Sequence, residues 1–146
     1  MQTVHESTAI SWSAQGNCWE CPKCSVAVPQ AFQVQISSNG KLIAESPRAR
    51  TWVQPLSAVL ALEQVIPLLE AGARTQYPGI RFGAPRSLTS DGTWVIVKDA
   101  YIKGQVVTVG QFIKGSNQVA VMTAIKADDN AANGLVCQLL DSLTLK

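Results

Sequence analysis

The sequence predicts an α+β fold: a twisted antiparallel sheet with a central helix and a C-terminal helix packed on one face. Residues 93–125 alternate as three strands joined by short turns, which force antiparallel neighbours. Residues 57–76 and 130–143 carry apolar side chains at helical spacing. The chain has 146 residues, 47% of them apolar and 15% charged, which is typical of a single domain spanning residues 1–146.

The N-terminal segment, residues 1–25, is predicted to be irregular with short strands, and it contains three of the four cysteines. Residues 32–36 alternate apolar and polar at period two, and a second extended run covers residues 41–45. Asn39-Gly40 lies between the two runs and predicts a hairpin in which both turn residues have positive φ. A further extended piece covers residues 50–53.

The central helix is predicted to begin after Ser57 as its N-cap and to end near Gln76. Pro67 lacks a backbone donor and crowds the preceding turn, so we expect it to kink or break this helix. The last helix is predicted over residues 130–143. The acidic residues just before it, including Asp129, are expected to cap its free N–H groups and to oppose its dipole.

Three strands are predicted at residues 93–102, 105–113 and 118–125. Their alternation places apolar side chains on both faces, for example Val95 on one face and Ile96 on the other. A sheet that is apolar on both faces needs a second cover from a helix, a partner or a second copy of the chain. Formation of a homodimer is therefore one of the alternatives that the sequence leaves open.

The order of these elements, the Tyr-Pro-Gly-Ile-Arg-Phe stretch at 77–82 and the Leu-Asp-Ser-Leu stretch at 140–143 resemble the PsbP-like superfamily. The resemblance covers about residues 26–146, and the cysteine-rich stretch is not part of it. That superfamily includes a Ran-binding nuclear-import factor and bacterial chaperones that cradle secretion effectors. The resemblance implies the α+β sheet fold, and no functional residue is carried over from it.

Cys18, Cys21 and Cys24 lie within seven residues, and Cys137 lies far along the chain. Thiolates bind zinc in a tetrahedron, so the candidate metal ligands are these four cysteines, with His5 as another possible fourth ligand. Strong zinc motifs contain two separated pairs, and here the second pair is missing. Cys137 lies off the apolar stripe of its helix, which predicts a position on a flank or at the surface.

The cysteines also permit two other interpretations. In the first, the cysteines bind no ligand and are either free or joined in an adventitious disulfide. In the second, two of them form a redox pair. A redox Cys-x-x-Cys pair normally opens a helix, whose N-terminus lowers the thiol pKa, but residues 25–29 read as extended here. Redox catalysis is therefore the weakest of the interpretations, and zinc is the only cofactor that the sequence suggests.

The charge balance and the absence of known motifs argue against several classes of function. Twelve basic and ten acidic residues give a net charge of +2 without a basic stripe, which argues against nucleic acid as a partner. No run is apolar enough to predict a membrane span, and no signal peptide is visible, so we expect a cytoplasmic protein. His5 is the only histidine, and no catalytic motif or phosphate-binding loop is present, so an enzyme is the less favoured class.

The leading hypothesis is therefore a small non-catalytic binding domain for a protein or an apolar peptide, with zinc binding through Cys18, Cys21 and Cys24 as the alternative. The partner is expected to lie against the sheet face opposite the helices. Trp19, Trp94 and Tyr101 are the candidate partner-binding residues, because exposed aromatic side chains are enriched at binding surfaces.

Overall fold

A computed structural model of the chain describes residues 11–56, 62–90 and 92–146, and these residues form eleven strands and two helices. The strands are β1 (Ser13–Gln15), β2 (Cys18–Glu20), β3 (Cys24–Ala27), β4 (Gln33–Ile36), β5 (Leu42–Ser46), β6 (Ala49–Pro55), β7 (Arg86–Ser90), β8 (Thr93–Ile102), β9 (Gln105–Lys114), β10 (Asn117–Lys126) and β11 (Thr144–Leu145). The helices are α1 (Leu62–Gln76) and α2 (Asn130–Ser142). Neither is long and apolar enough to cross a membrane.

The strands form two antiparallel sheets. The larger has seven strands in the order β4-β5-β6-β10-β9-β8-β7, and the smaller has four in the order β1-β2-β3-β11. The predicted α+β class with an antiparallel sheet is confirmed. Long strands β8, β9 and β10 match the predicted runs to within a residue at each end, because ten residues of alternation between tight turns define a strand well.

Alternate residues of β10 point to opposite faces of the larger sheet, and each face has its own core. Val119 and Val121 lie on what we call the sandwich face, where they pack in one cluster with residues of the smaller sheet and of α2. Met122 lies on the opposite face, which we call the helix face, and packs in a second cluster with α1. The β10 strand is therefore buried on both sides.

The sandwich face is covered by two elements. Val26 of β3 and Leu145 of β11 come from the smaller sheet, and Val136 and Leu139 come from α2. All four side chains are almost fully buried. At the start of α2, Asp129 accepts a bond from the N–H of Ala132 at 3.0 Å, which confirms the predicted acidic cap.

Among the described residues, the helix face is covered by α1 and by the segment that follows it, which contributes Tyr77, Ile80 and Phe82. Ile66 and Ala73 of this helix are buried against Val107, Val109 and Met122 of the central strands. The prediction that both helices pack on one face is therefore wrong. The prediction fails because both faces of the sheet are apolar. Each face needs its own cover, and the two helices therefore lie on opposite sides.

The N-terminal segment is more regular than predicted. Residues 13–27 form β1, β2 and β3, and β3 pairs with β11 near the C-terminus. The indole N–H of Trp12 donates to the carbonyl of Gly40 at 2.9 Å, which ties this segment to the β4–β5 turn. Short strands were expected here, but their bounds and pairing were not predicted, because strands of three or four residues are too short to show a period-two pattern.

The turns differ in detail from the prediction. In the β4–β5 turn only Gly40 has positive φ, at 84°, so the expected two-residue turn with positive φ at both positions is wrong there. The β8–β9 turn has that geometry instead, with φ of 51° at Lys103 and 76° at Gly104.

Helix α1 continues through Pro67, so of the two expected outcomes a break is wrong, while a kink stays a prediction. The predicted N-cap, Ser57, lies outside the described residues. The edge strand β7 was not predicted, since its sequence, Arg-Ser-Leu-Thr-Ser, has a single apolar residue.

Candidate functional site: an apolar groove beside the first helix

A groove lies on the helix face, between α1 and the β6–β10 pair, and has a volume of about 360 Å³. Its lining is mainly apolar. It includes Trp52, Leu56, Leu68, Leu69, Ala120 and Met122. Volume and lining both fall in the range that small-molecule and peptide side-chain pockets use.

The groove exists because α1 covers only part of the helix face. The helix packs over β9 and β10, while Trp52 of β6 stands opposite Met122 of β10 and stays half-buried beside the helix. Leu68 is 60% exposed on the helix flank that borders the groove, although it is a large apolar side chain. The exposed leucine and the half-buried tryptophan both line the groove, and together they form an apolar surface that the described residues leave partly uncovered.

One ion pair joins α1 to the sheet, and a second supports it from within the helix. Lys98 Nζ of β8 lies 2.8 Å from Glu70 Oε1 of α1, and both side chains are mostly buried. Arg74 adds a second, longer contact to Glu70 at 3.4 Å within the helix. Lys98 belongs to the helix face, so this pair anchors the helix to the sheet on the side away from the groove.

The rim of the groove carries a positive charge. Lys41 Nζ lies 4.2 Å from the ring centroid of Trp52, a cation–π distance. Partial burial, and then the charge of Arg50, lowers the pKa of Lys41 below its ordinary 10.5. Among the described residues, no carboxylate forms an ion pair with Lys41. The ammonium group is therefore available to an anionic group at the rim.

A larger depression of about 620 Å³ lies near the N-terminal end of β6 and the C-terminal end of β10. Its lining is polar and charged, but its charges are largely satisfied within the chain. Arg48 forms a two-pronged pair with Asp129, and Arg50 pairs with Glu45 at 3.5 Å. Lys126 also lines this depression and forms no ion pair among the described residues, but the depression lacks the apolar lining of the groove, so the groove is the stronger candidate.

The three predicted partner-binding residues do not form one site. Trp19 is half-buried in β2 and packs against the sandwich-face core. Trp94 and Tyr101 are 38% and 77% exposed, but they lie on opposite faces of β8, since Trp94 pairs with Ile113 and Tyr101 with Val106. A role in binding stays a prediction for each of them.

The structure separates the four cysteines. Cys21 lies in the turn between β2 and β3, and Cys24 is the first residue of β3. Both are buried, with their sulfurs 3.6 Å apart. Cys18 is exposed on β2, and Cys137 is exposed on α2, as its helical position predicted. Within the described residues no three His, Cys, Asp or Glu side chains are grouped as metal ligands. His5 lies outside the described residues, and the zinc alternative stays a prediction.

A hydrogen bond joins the two sulfurs of the buried pair, and either sulfur can donate it. The hydrogen bond from Cys24 lowers the pKa of Cys21 from 9.0 to about 6, against the opposing effect of burial. The same bond, together with burial, raises the pKa of Cys24. Both shifts favour ionisation of Cys21 over that of Cys24.

Sequence reasoning identified residues 50–53, which include Trp52, as an extended piece and missed the groove. A signal was present in α1, because Ile66 and Leu68 are about 160° apart on a helical wheel, since two residues turn the helix by about 200°. Both side chains cannot face the same sheet. One of two such large apolar residues has to be exposed or to contact something else, and the structure shows that it is Leu68.

The chain matches no protein-family model, and no curated protein matches it. Solved structures similar to it include LpqN of Mycobacterium tuberculosis, described as involved in cell envelope biogenesis. The two chains are 13% identical, the match covers 94% of this chain and 90% of LpqN, and the TM-score is 0.43. At this level the likeness assigns neither a family nor a function, and the resemblance to the PsbP-like superfamily stays a prediction.

Proposed function

We propose that the chain is a non-catalytic binding domain whose groove beside α1 holds an apolar segment of a partner protein that carries a carboxylate. The observation that carries the proposal is the pairing of exposed Leu68 with half-buried Trp52 across an apolar groove. The proposal keeps the predicted class of function and changes its location. A partner held against a face opposite both helices is wrong, because the helices cover opposite faces.

Burial of apolar side chains would supply most of the binding free energy. Leu68 and Trp52 are both only partly covered, and a leucine-sized anchor between them would remove apolar area from water at about 25 cal/mol per Å². Large apolar anchors that fill a pocket dominate the energetics of most protein interfaces.

The positive rim specifies the chemistry of the partner. Lys41 lacks a carboxylate partner among the described residues, and partial burial strengthens its interaction with an anion. The polar groups beside it, Gln54 and Gln76, carry no charge. An apolar segment with a nearby acidic side chain or a free C-terminal carboxylate therefore matches the groove better than a neutral or basic one.

The test uses three synthetic peptides and calorimetric titration of the full chain. Acetyl-Leu-Leu-Leu with a free carboxylate should bind, its C-terminal amide should bind more weakly, and acetyl-Ser-Ser-Ser should not bind measurably. Leu68→Glu should weaken binding of the leucine peptide at least roughly tenfold, because it places a carboxylate at the apolar wall and repels the ligand's own charge.

Tyr101→Glu is the matched control, because it puts the same new charge on an exposed aromatic residue of the sandwich face. It should leave binding unchanged. Lys41→Met keeps the length of the side chain and should remove the preference for the carboxylate over the amide. Equal binding by wild type and Leu68→Glu, or loss of binding in Tyr101→Glu alone, would contradict the proposal.

The zinc alternative and the cytoplasmic localisation remain separate expectations. Elemental analysis of protein purified without chelator tests the first, since a structural site should retain close to one equivalent of metal. The groove proposal depends on neither of them.

A further inference from the structure

The sequence contains two overlapping Cys-x-x-Cys pairs, Cys18/Cys21 and Cys21/Cys24, and the structure favours one of them. Cys18 is exposed on β2, whereas Cys21 and Cys24 point into the sandwich-face core, with 3% and 0% exposure. Their sulfurs are 3.6 Å apart. A disulfide bond of about 2.05 Å thus requires the sulfurs to approach by about 1.5 Å, which small side-chain rotations supply.

The turn that contains the pair is held at both ends. The N–H of Cys21 donates to the carbonyl of Cys24 at 2.9 Å, which closes the turn. On its other side, β11 pairs with β3, and the N–H of Lys146 donates to the carbonyl of Lys23 at 3.0 Å. The backbone therefore keeps the two sulfurs facing each other while the C-terminal strand lies alongside.

We propose that Cys21 and Cys24 are a reversible dithiol–disulfide pair, which closes by exchange with an external disulfide and locks the β2–β3 turn of the smaller sheet. Cys18 and Cys137 are exposed and take no part. The pair lies in a strand–strand turn and not at a helix N-terminus, so it regulates the stability of its own sheet and is not a catalytic redox centre.

The exchange has two balanced steps. The Cys21 thiolate attacks an external disulfide, forms a mixed disulfide and releases one thiolate. Cys24 then loses its proton to solvent and attacks the Cys21 sulfur, which forms the internal bond and releases the second thiolate. In total, two protein thiols are oxidised and one external disulfide is reduced to two thiols. Cys21 is reached by local opening of its turn, where the adjacent Glu20 and Pro22 are exposed.

The main experiment isolates the pair in a Cys18→Ser/Cys137→Ser variant, which removes only exposed thiols. The variant is equilibrated with mixtures of reduced and oxidised glutathione, quenched with acid, denatured and alkylated for mass spectrometry. Both remaining thiols should be alkylated in the reducing mixtures. In the oxidising mixtures neither should be alkylated, the mass should fall by two hydrogens, and no glutathione should remain attached.

A matched control retains the other Cys-x-x-Cys pair. Cys24→Ala/Cys137→Ser leaves Cys18 and Cys21, with the same spacing but one sulfur outside the core, and its equilibrium constant for internal disulfide formation should be at least roughly tenfold smaller. If either variant fails to fold, peptide mapping of the oxidised wild-type chain locates the bond directly. Two free thiols in every mixture, a stable glutathione adduct, or a Cys18–Cys21 bond in the wild type would overturn the proposal.

Discussion

The two faces of the larger sheet are covered in different ways, and the difference separates stability from binding. On the sandwich face, the smaller sheet and α2 together bury side chains such as Leu139 and Val121 almost completely. On the helix face, the cover among the described residues is α1 with the segment after it, which includes Ile80, and this cover leaves Trp52 half-buried and Leu68 exposed. A sheet that is apolar on both sides can thus be closed on one side and remain open to a partner on the other.

The largest expected effect comes from one matched pair of leucines, one on each helix. Leu139→Ala in α2 should lower the free energy of unfolding by about 2–5 kcal/mol, because the side chain is fully buried and its removal leaves a cavity. Leu68→Ala in α1 should change that free energy by no more than about 0.5 kcal/mol, since the side chain is mostly exposed. Denaturant unfolding of both variants measures the difference.

Similar losses for the two leucines would mean that the helix face is as closed as the sandwich face. In that case the groove would be part of the core, and the comparison between the faces would be wrong.

Two glycines provide a second test of the same contrast. A Cβ at Gly110, on β9, would lie 2.9 Å from Val121 Cγ2 and 3.1 Å from Val97 Cγ1. Valine side chains have few alternative rotamers, so Gly110→Ala should lower the free energy of unfolding by about 1–3 kcal/mol. Gly72, in α1 beside the groove, has open space around a Cβ, and Gly72→Ala should raise it by up to about 1 kcal/mol.

Thermal unfolding of the two alanine variants should therefore shift in opposite directions. A stabilising Gly110→Ala change would show that the sandwich face has room to repack.

The sequence predicts the long, periodic strands and helix that form the two faces. The strands at 93–102, 105–114 and 117–126 are ten residues each, and α2 has a regular apolar stripe, so both were recognised within one or two residues. The bounds of the three short strands within residues 13–27 were not predicted, because these strands depend on pairing in a sheet whose last strand, β11, comes from the far end of the chain.

The groove was not predicted for a different reason. Trp52 has the same alternating pattern whether α1 covers it or stops beside it, and local sequence does not say how far a helix lies across a sheet. The side of the sheet that each helix covers is likewise a tertiary property, because the apolar side chains of β10 suit either side.

A smaller effect is expected from the carboxylate of Asp129, which caps the start of α2 on the sandwich face. Arg48 beside Asp129, and then the N–H of Ala132, lower the pKa of this carboxyl below its ordinary 3.8. The stabilising contribution of Asp129 is thus fully present above about pH 3.8, and it is lost as the pH falls through the lower pKa of the folded state. Asp129→Asn should reduce the acid-induced loss of stability, while the asparagine still caps the helix.

Unfolding measured across this acidic range compares Asp129→Asn with Asp128→Asn, in which the neighbouring exposed carboxylate is neutralised. An equally steep acid response in wild type and Asp129→Asn would show that the ion pair with Arg48 does not stabilise the fold.

The most direct test of the open and closed faces uses adjacent residues of β10, Val121 on the sandwich face and Met122 on the helix face. Their methyl groups are labelled with ¹³C and followed by NMR while acetyl-Leu-Leu-Leu with a free carboxylate is added. We expect the Met122 methyl signal to shift and saturate, because it lines the groove, while the Val121 methyl signals stay in place. A shift confined to Val121, or no saturable shift at Met122, would contradict a groove that binds through the helix face.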